Sequence, residues 1–340
     1  GNKDLGWEQT EEINLGLNIS LFKNRLLVTA DVYQKNTADL ILDTPIPAIT
    51  GFSTTTANVG EIMNKGLELS VKARVLTGAL KWTSIVNYSR NINEVVDLGG
   101  LDRLPLSQAS KGMWFQTKVG QPIGQYFGWV QQGIWNNQEE IDNNPSANGV
   151  RPGSIRIKDL NGDGEIDADD RKPLGSYMPD FELGFVNNFK YKNFDLSVLM
   201  YGVFGFEVYN FELNYYDNSR KLFTDNRWYS PDETGDGNTV GNDRGTEPGS
   251  TDYYIEDASY WGFRNINLGY TLPQVMGGNV LSSARIYISV QNAALFTTGD
   301  YNSYNPEGFT ESRNNLTQRG VNYGSEPLNR TFSLGFNLTF

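Results

Sequence analysis

The chain has 340 residues with neither cysteine nor histidine, which excludes disulfides, thiolate ligands and any histidine-based triad or metal site. Its net charge of −12 and pI of about 4.6 argue against nucleic acid as a partner, because phosphate recognition needs a basic surface. No apolar run approaches the roughly 18 residues of a membrane-crossing helix, while 36 glycines and 13% aromatic residues favour strands and turns.

The opening stretch, GNKDLGWEQTEEINLGL, shows no secretion signal and runs straight into a strand, so it reads as a cut within a longer polypeptide. In the predicted strand 9–21, Ile13, Leu15, Leu17, Ile19 and Leu21 alternate with Asn14, Gly16, Asn18 and Ser20. The short turn FKNR (22–25) leads into strand 25–42, and a long connection spans 43–61. Strand 62–76 sets Leu67, Leu69, Val71, Ala73 and Val75 against Glu68, Ser70, Lys72 and Arg74. TGA (77–79) turns it into strand 80–97, after which 98–179 is one long excursion. Strands 180–192 and 193–208 meet at YKN (191–193), and 209–255 is again long. Strand 256–272, a moderate connection at 273–282 and strand 283–297 follow, the last alternating Ala284, Ile286, Ile288 and Val290 with Arg285, Tyr287, Ser289 and Gln291. After 298–328 the chain ends in strand 329–340, where Phe332, Leu334, Phe336, Leu338 and Phe340 share one side.

Period two with one apolar face suits both a soluble sandwich and a transmembrane barrel. Three features favour the barrel. The strands exceed the usual five or six residues. Short and long connections alternate, as periplasmic turns and outer loops do. Trp7, Trp82, Tyr88, Tyr191, Phe194, Tyr260, Trp261 and Tyr270 gather near strand ends, as interfacial girdles require. The parity places Phe340 on the periplasmic side. About nine strands leave two bare edges, so the remaining strands of a wide barrel are expected from a preceding part of the polypeptide.

Three segments carry a resemblance. ITGFSTTTANVGEIMNKGLELSVKARV (49–75) holds Asn58, Gly60, Asn64, Gly66 and Glu68 in an N-x-G-x-x-x-N-x-G-x-E run. PIGQYFGWVQQGIWNNQEEI (122–141) and the stretch from Pro152 to Asn210 are the second and third. Together with the terminal Phe340, they resemble the SusC/RagA-like TonB-dependent transporters of Bacteroidota. The resemblance implies an all-β fold, the C-terminal part of an outer-membrane antiparallel barrel of about 22 strands. It also implies an N-terminal plug and TonB box outside this sequence, energy delivered by TonB–ExbB–ExbD, a SusD-like surface lipoprotein as partner, and import of oligosaccharides or peptides across outer-membrane lipid. A siderophore or cobalamin receptor is the alternative within that class. A secreted, calcium-stabilised β-rich glycan-binding protein, dissolving without detergent, is the alternative outside it.

The sharpest local motif is DLNGDGEIDADD (159–170). Counting Asp159 as one, Asn161, Asp163, Asp167 and Asp170 place oxygen at three, five, nine and twelve, Glu165 lies at seven, and Gly164 sits at the sharp turn. This is a Ca²⁺ loop of the EF-hand or dockerin kind with aspartate replacing the usual final glutamate, and a structural ion is expected to pin the 98–179 excursion. The competing reading is a metal-free Asp/Asn/Gly turn. The acidic stretch 230–243 lacks that spacing and reads as a solvated loop. Trp114, Phe115, Trp135, Trp228, Tyr229, Tyr301 and Tyr304 fall in the long loops, where they are candidates to stack on substrate or to pack the loops together. No GxSxG, P-loop or dinucleotide motif is present, and no enzymatic activity is expected.

Overall fold

A computed structural model describes residues 5–45, 49, 51–52, 54–109, 112–213, 226–241, 250–273, 283–308 and 317–339. Phe340, most of 273–282 and the end of the acidic stretch 230–243 lie outside them.

Nine strands form one antiparallel sheet in chain order: β1 (Gln9–Leu21), β2 (Leu26–Ala38), β3 (Glu61–Thr77), β4 (Leu80–Asp97), β5 (Phe181–Tyr191), β6 (Phe194–Phe204), β7 (Tyr260–Thr271), β8 (Ser283–Thr297) and β9 (Thr331–Thr339). Among the described residues each pairs only with its neighbours in sequence, so the sheet is a simple meander. At the β1–β2 turn, Phe22, Lys23 and Asn24 all take positive φ, and the Arg25 amide closes on Leu21 O at 3.1 Å.

Register makes the two faces continuous. One row across the sheet runs Leu17, Ala30, Leu69, Tyr88, Leu183, Gly202, Trp261 and Phe296. The adjacent row runs Gly16, Asp31, Glu68, Ser89, Glu182, Val203 and Tyr260. A one-residue slip would exchange the faces, so the pattern fixes the pairing. No second sheet covers the apolar face among the described residues, and Ile13 and Phe332 remain 78% and 70% exposed. A water-soluble monomer rarely leaves so large an apolar area bare; against lipid the same area is the favourable surface.

Aromatic stacks border that face at both ends. Near the tight turns Trp82 stacks on Phe189 at 5.5 Å and Phe194 meets Tyr270 at 4.7 Å. Toward the long connections Phe181 bridges Tyr88 and Phe204, and Trp261 stacks on Phe296. From Phe194 to Phe204 the strand covers about 34 Å at roughly 3.4 Å per residue. Tilted by about 40°, that spans roughly 26 Å of height, the size of an outer-membrane apolar band. Tyr260 leaves the expected girdle: its register puts it on the polar face, where it is buried.

The predicted strands 9–21, 80–97 and 283–297 match the observed ones, but three others run past their true ends. Strand 25–42 stops at Ala38, where Asp39 takes φ 55°, and Ile41–Pro45 then pairs with Thr54–Asn58 as a separate hairpin. Strand 193–208 stops at Phe204; Gly205, at φ 71°, redirects the chain so that Glu207–Asn210 joins another sheet. Strand 256–272 begins at Tyr260, because Ile255–Asp257 belongs to that other sheet too.

The long connections fold into a cap with its own core. A four-stranded sheet is built from Ser107–Gln108, Trp114–Gln116, Gln125–Trp129 and Arg171–Gly175. A three-stranded one joins Ile255–Asp257, Glu207–Asn210 and Val321–Asn322. Met113, Phe115, Tyr126, Tyr209, Phe211, Tyr254 and Val321, drawn from three different connections, pack into one buried cluster. Because the sheet is one layer thick, this cap is where tight apolar packing resides.

Candidate functional site

The cap carries the 159–170 loop. Gly162 and Gly164, at φ 77° and 86°, let the backbone curl so that its amides meet the side chains they follow. The Asp159 carboxylate accepts from the Gly162 amide at 2.7 Å and the Gly164 amide at 2.9 Å. Asn161 accepts from the Asp163 amide, and Asp163 from the Glu165 amide at 2.8 Å. Asp170 is buried and accepts from Leu160 at 2.7 Å, from Asn161 at 3.4 Å and from Asp167 at 3.0 Å. Burial pushes its carboxyl up, but those amides and the Asp159 side chain outweigh burial and hold it below the usual carboxylate range. The Trp129 indole donates to Asp167 O at 2.6 Å, and the Arg171 guanidinium lies 4.1 Å over the Trp129 ring, which docks the loop on the four-stranded sheet. The first and last positions, Asp159 and Asp170, thus come together through the closed turn, whereas Glu165 is exposed at its tip. Among the described residues no three acidic groups are drawn into a single cation centre as the loop stands.

The loop aromatics divide. Phe115 and Trp135 are almost wholly buried; the Arg156 guanidinium covers the Trp135 ring at 4.7 Å. Trp228 is half-buried, its indole donates to Asn136 O at 3.0 Å, and a Cβ added to Gly153 would approach its ring to 2.6 Å. Tyr301 is buried, its hydroxyl donating to Asn305 O at 3.0 Å. These side chains occupy packing positions, with the Trp228 indole and the Tyr301 hydroxyl already engaged. Trp114 is half-buried on an inner strand of the four-stranded cap sheet, paired with Gln108 and Phe127, and Tyr229 and Tyr304 stand 53% and 67% exposed. Tyr304 lines a pocket of about 220 Å³ with Arg264, Asn292, Leu295, Leu328 and Arg330.

Below the cap, the polar face holds groups that sequence reading did not single out. Two open troughs of about 500 and 700 Å³ lie along it, sharing Asp31 and Glu68. Glu12, Asp31 and Glu68 form no ion pair among the described residues, while Glu182 accepts from the Tyr201 hydroxyl at 2.6 Å. Tyr33 lies across Gly66 and donates to Asn91 at 3.0 Å; a Cβ on Gly66 would strike its ring at 2.5 Å. Arg285 grips Asp195 through two bonds, at 2.9 and 2.5 Å, and also reaches Asn267 at 2.8 Å. Arg264, released by a bulge in β7, pairs with Glu307 of the last long connection between the Tyr201 and Tyr260 rings. The alternation already placed Arg285 and Tyr287 on this face; pairing across 90 residues has no local signal.

Comparison with known proteins decides what this polar wall belongs to. Residues 1–211 match the family model described as "TonB dependent receptor-like, beta-barrel". The chain belongs to the TonB-dependent receptor barrel family. It is 34% identical over its whole length to "TonB-dependent receptor P3" of Formosa agariphila and 28% identical to "TonB-dependent receptor SusC" of Bacteroides thetaiotaomicron, covering 35% and 32% of those proteins. It therefore spans about a third of the length of these curated relatives. Among solved structures, the whole chain superposes on the "RagAB peptide transporter" with a TM-score of 0.79 at 24% identity, covering 36% of that chain, which shows the shared fold. In a receptor barrel of this family the apolar face is the outward one and the polar face the lumen wall, and the long connections form one end of it. The expected all-β, antiparallel barrel architecture holds, with the sheet open at β1 and β9.

Proposed function

We propose that the protein is an outer-membrane importer that takes up oligosaccharides or peptides in a TonB-dependent manner, together with a SusD-like surface lipoprotein. The observation that carries this reading is the uninterrupted two-faced meander: an uncovered apolar face bounded by aromatic stacks, backed by a wet wall of Asp31, Glu68, Glu182 and Tyr201. A solved transporter with the same fold, RagAB, is a peptide importer, which supports an importer of organic nutrients over a siderophore receptor. No step of this function needs catalysis by the chain. Energy coupling through TonB–ExbB–ExbD belongs to parts of the polypeptide beyond these residues.

Substrate contact from the cap falls to Tyr304, with Tyr229 and Trp114, because Trp135, Trp228 and Tyr301 are engaged in packing. The 159–170 loop fits a structural Ca²⁺: its donors are all oxygen, and its backbone is already curled so that Asp159 and Asp170 meet. Asp159, Asn161, Asp163, Asp167 and Asp170 would hold the ion, with Glu165 supplying its backbone or side chain. The ion would offset the mutual repulsion of these carboxylates and stiffen the cap.

The test is uptake by the native organism lacking the full-length protein, complemented with wild type or with Tyr304→Ala. Loss of uptake of a labelled peptide or oligosaccharide mixture on deletion, with a surface lipoprotein co-purifying from wild type in mild detergent, is expected. Unchanged uptake of both classes alongside lost ferric-siderophore or cobalamin uptake would overturn the nutrient reading.

A further inference from the structure

The apolar face does not end abruptly at its outer boundary, the side of the long connections. On β3 and β4 the outward rows read, from inside to outside, Leu69 with Tyr88, Leu67 with Arg90, and Lys65 with Ile92. Two cations thus stand diagonally opposed on adjacent strands, on the lipid side of the sheet and just beyond Tyr88, a member of the outer aromatic stack. Diagonal neighbours of this kind have Cβ atoms about 7 Å apart, so both long side chains can reach one small anion. Both residues are exposed, and neither forms an ion pair or side-chain hydrogen bond among the described residues. The acids nearest along that face form no ion pair with them among the described residues. Glu94 stands opposite Met63 in the next row out, diagonal to Lys65 on its outer side but without an ion pair to it among the described residues, and Glu61 accepts from Asn36 at 3.0 Å.

A protein of net charge −12 therefore keeps two cations, without an ion pair among the described residues, facing away from its lumen, where the apolar surface gives way. Cations at that level extend toward headgroups while their aliphatic stems stay on apolar surface. The polar face and its carboxylates lie on the other side of the sheet, so a transported substrate cannot be the ligand.

We propose that Lys65 and Arg90 form a clamp for the phosphate of an outer-leaflet lipid, whose acyl chains lie on Leu67, Leu69 and Val86. The clamp rests on the membrane placement given under Proposed function. Its chemistry is a bridging one: the guanidinium gives the phosphate two parallel N–H donors, and the ammonium supplies a point charge from above. It holds one lipid in place against β3–β4, the strands that carry Asp31's partner Glu68 on their other face.

The test uses the full-length protein, purified in detergent and stripped of lipid. Native mass spectrometry follows adducts with diphosphoryl lipid A, with lipid A dephosphorylated enzymatically, and with inorganic phosphate as competitor. The double variant Lys65→Gln/Arg90→Gln is compared with Lys23→Gln/Lys192→Gln, which removes the same charge at the tight-turn end. Each cation near an anionic surface contributes about fivefold, so the clamp variant is expected to bind diphosphoryl lipid A about 30-fold more weakly. The control variant should bind as wild type, and both should keep the heat-modifiable migration of a folded barrel. Equal binding by wild type and the clamp variant, equal loss in the control, or equal binding of dephosphorylated lipid overturns the clamp. Displacement by millimolar inorganic phosphate overturns the commitment to lipid, showing a simple anion site. A wild-type protein that binds no lipid and stays dispersed without detergent sinks the membrane placement itself, a failure distinct from that of the clamp.

Discussion

Removing the Asp170 carboxylate should open the 159–170 loop without unfolding the sheet. The side chain is buried and its oxygens accept from three backbone amides, of which Leu160 at 2.7 Å and Asp167 at 3.0 Å are well formed and Asn161 at 3.4 Å is weak. A hydrogen bond to a charged acceptor contributes a net ~1.5 kcal/mol or more, so losing the two good ones costs about 3 kcal/mol. That energy corresponds to roughly a 150-fold rise in the open population of the loop. Hydrogen exchange of the Leu160 and Asp167 amides reads this opening directly, since exchange through local fluctuations tracks local rather than global stability. Asp170→Ala should therefore lose about two decades of protection at both amides, while amides in the middle of β5 and β6 are unaffected. Asp170→Asn should fall between, because its carbonyl still accepts from Leu160 but its amide nitrogen faces the Asp167 N–H. The measurement belongs in chelator first, so that the carboxylate's own bonds are read, and then in Ca²⁺, which should protect the wild type further and Asp170→Ala little. Protection unchanged within threefold in Asp170→Ala would refute the idea that this side chain closes the loop.

Other consequences are testable on the same protein. Trp135→Ala empties a buried site and should lower cap stability by about 3–5 kcal/mol, whereas Tyr304→Ala should leave it within about 0.5 kcal/mol; limited proteolysis of the cap distinguishes the two. Burial raises the Glu207 carboxyl, with Asp257 and Asp180 adding to the rise and the Ser176 amide opposing it. A raised folded pKa means stability that is complete below the unfolded value of about 4.3 and lost as pH climbs through the folded one. The cap transition temperature should hence decline less steeply with rising pH in Glu207→Gln than in wild type, and parallel pH profiles would rule this out. A Cβ on Gly335 would meet the Tyr287 ring at 2.3 Å, so Gly335→Ala should displace the ring from beneath Arg285 and destabilise the barrel by about 1–3 kcal/mol. Adding Tyr287→Leu should recover most of that loss in urea unfolding, a coupling that independent sites would not show.

The strands were legible in the sequence because each has one apolar side: the alternation at 9–21 or 283–297 survives any error of one or two residues at the ends. Several of their ends were not, because an end is set by backbone geometry. Nothing in the alternation of 25–42 announces that Asp39 will turn to positive φ, and Gly205 breaks a run that otherwise continues. The cap was illegible for a different reason. Its strands are two to five residues long, too short to show a period, and the burial of Trp135 or Tyr301 depends on connections far away in the chain. Aromatic loop residues look alike in sequence whether they face solvent, as Tyr304 does, or fill a core, as Phe115 does. For the Ca²⁺-type loop, spacing foretold the turn and its glycines; how far the carboxylates converge depends on which oxygens the backbone amides already occupy.

The parallel pairing of Tyr209 and Asn210 with Val321 and Asn322 sets an order of assembly. Asn210 and Asn322 are 112 positions apart, and the Asn322 amide also joins Tyr301 and Ser303, so this seam ties the third long connection to the fourth. The meander can grow hairpin by hairpin through local closures of low entropic cost, but the seam must wait until residue 322 is in place. Until then Met113, Phe115, Tyr209 and Tyr254 have formed only part of their core and present apolar rings to the surroundings. The cap is thus the late-maturing, aggregation-exposed part of the molecule, and a chaperone shielding it would have to release at the step when the last connection docks.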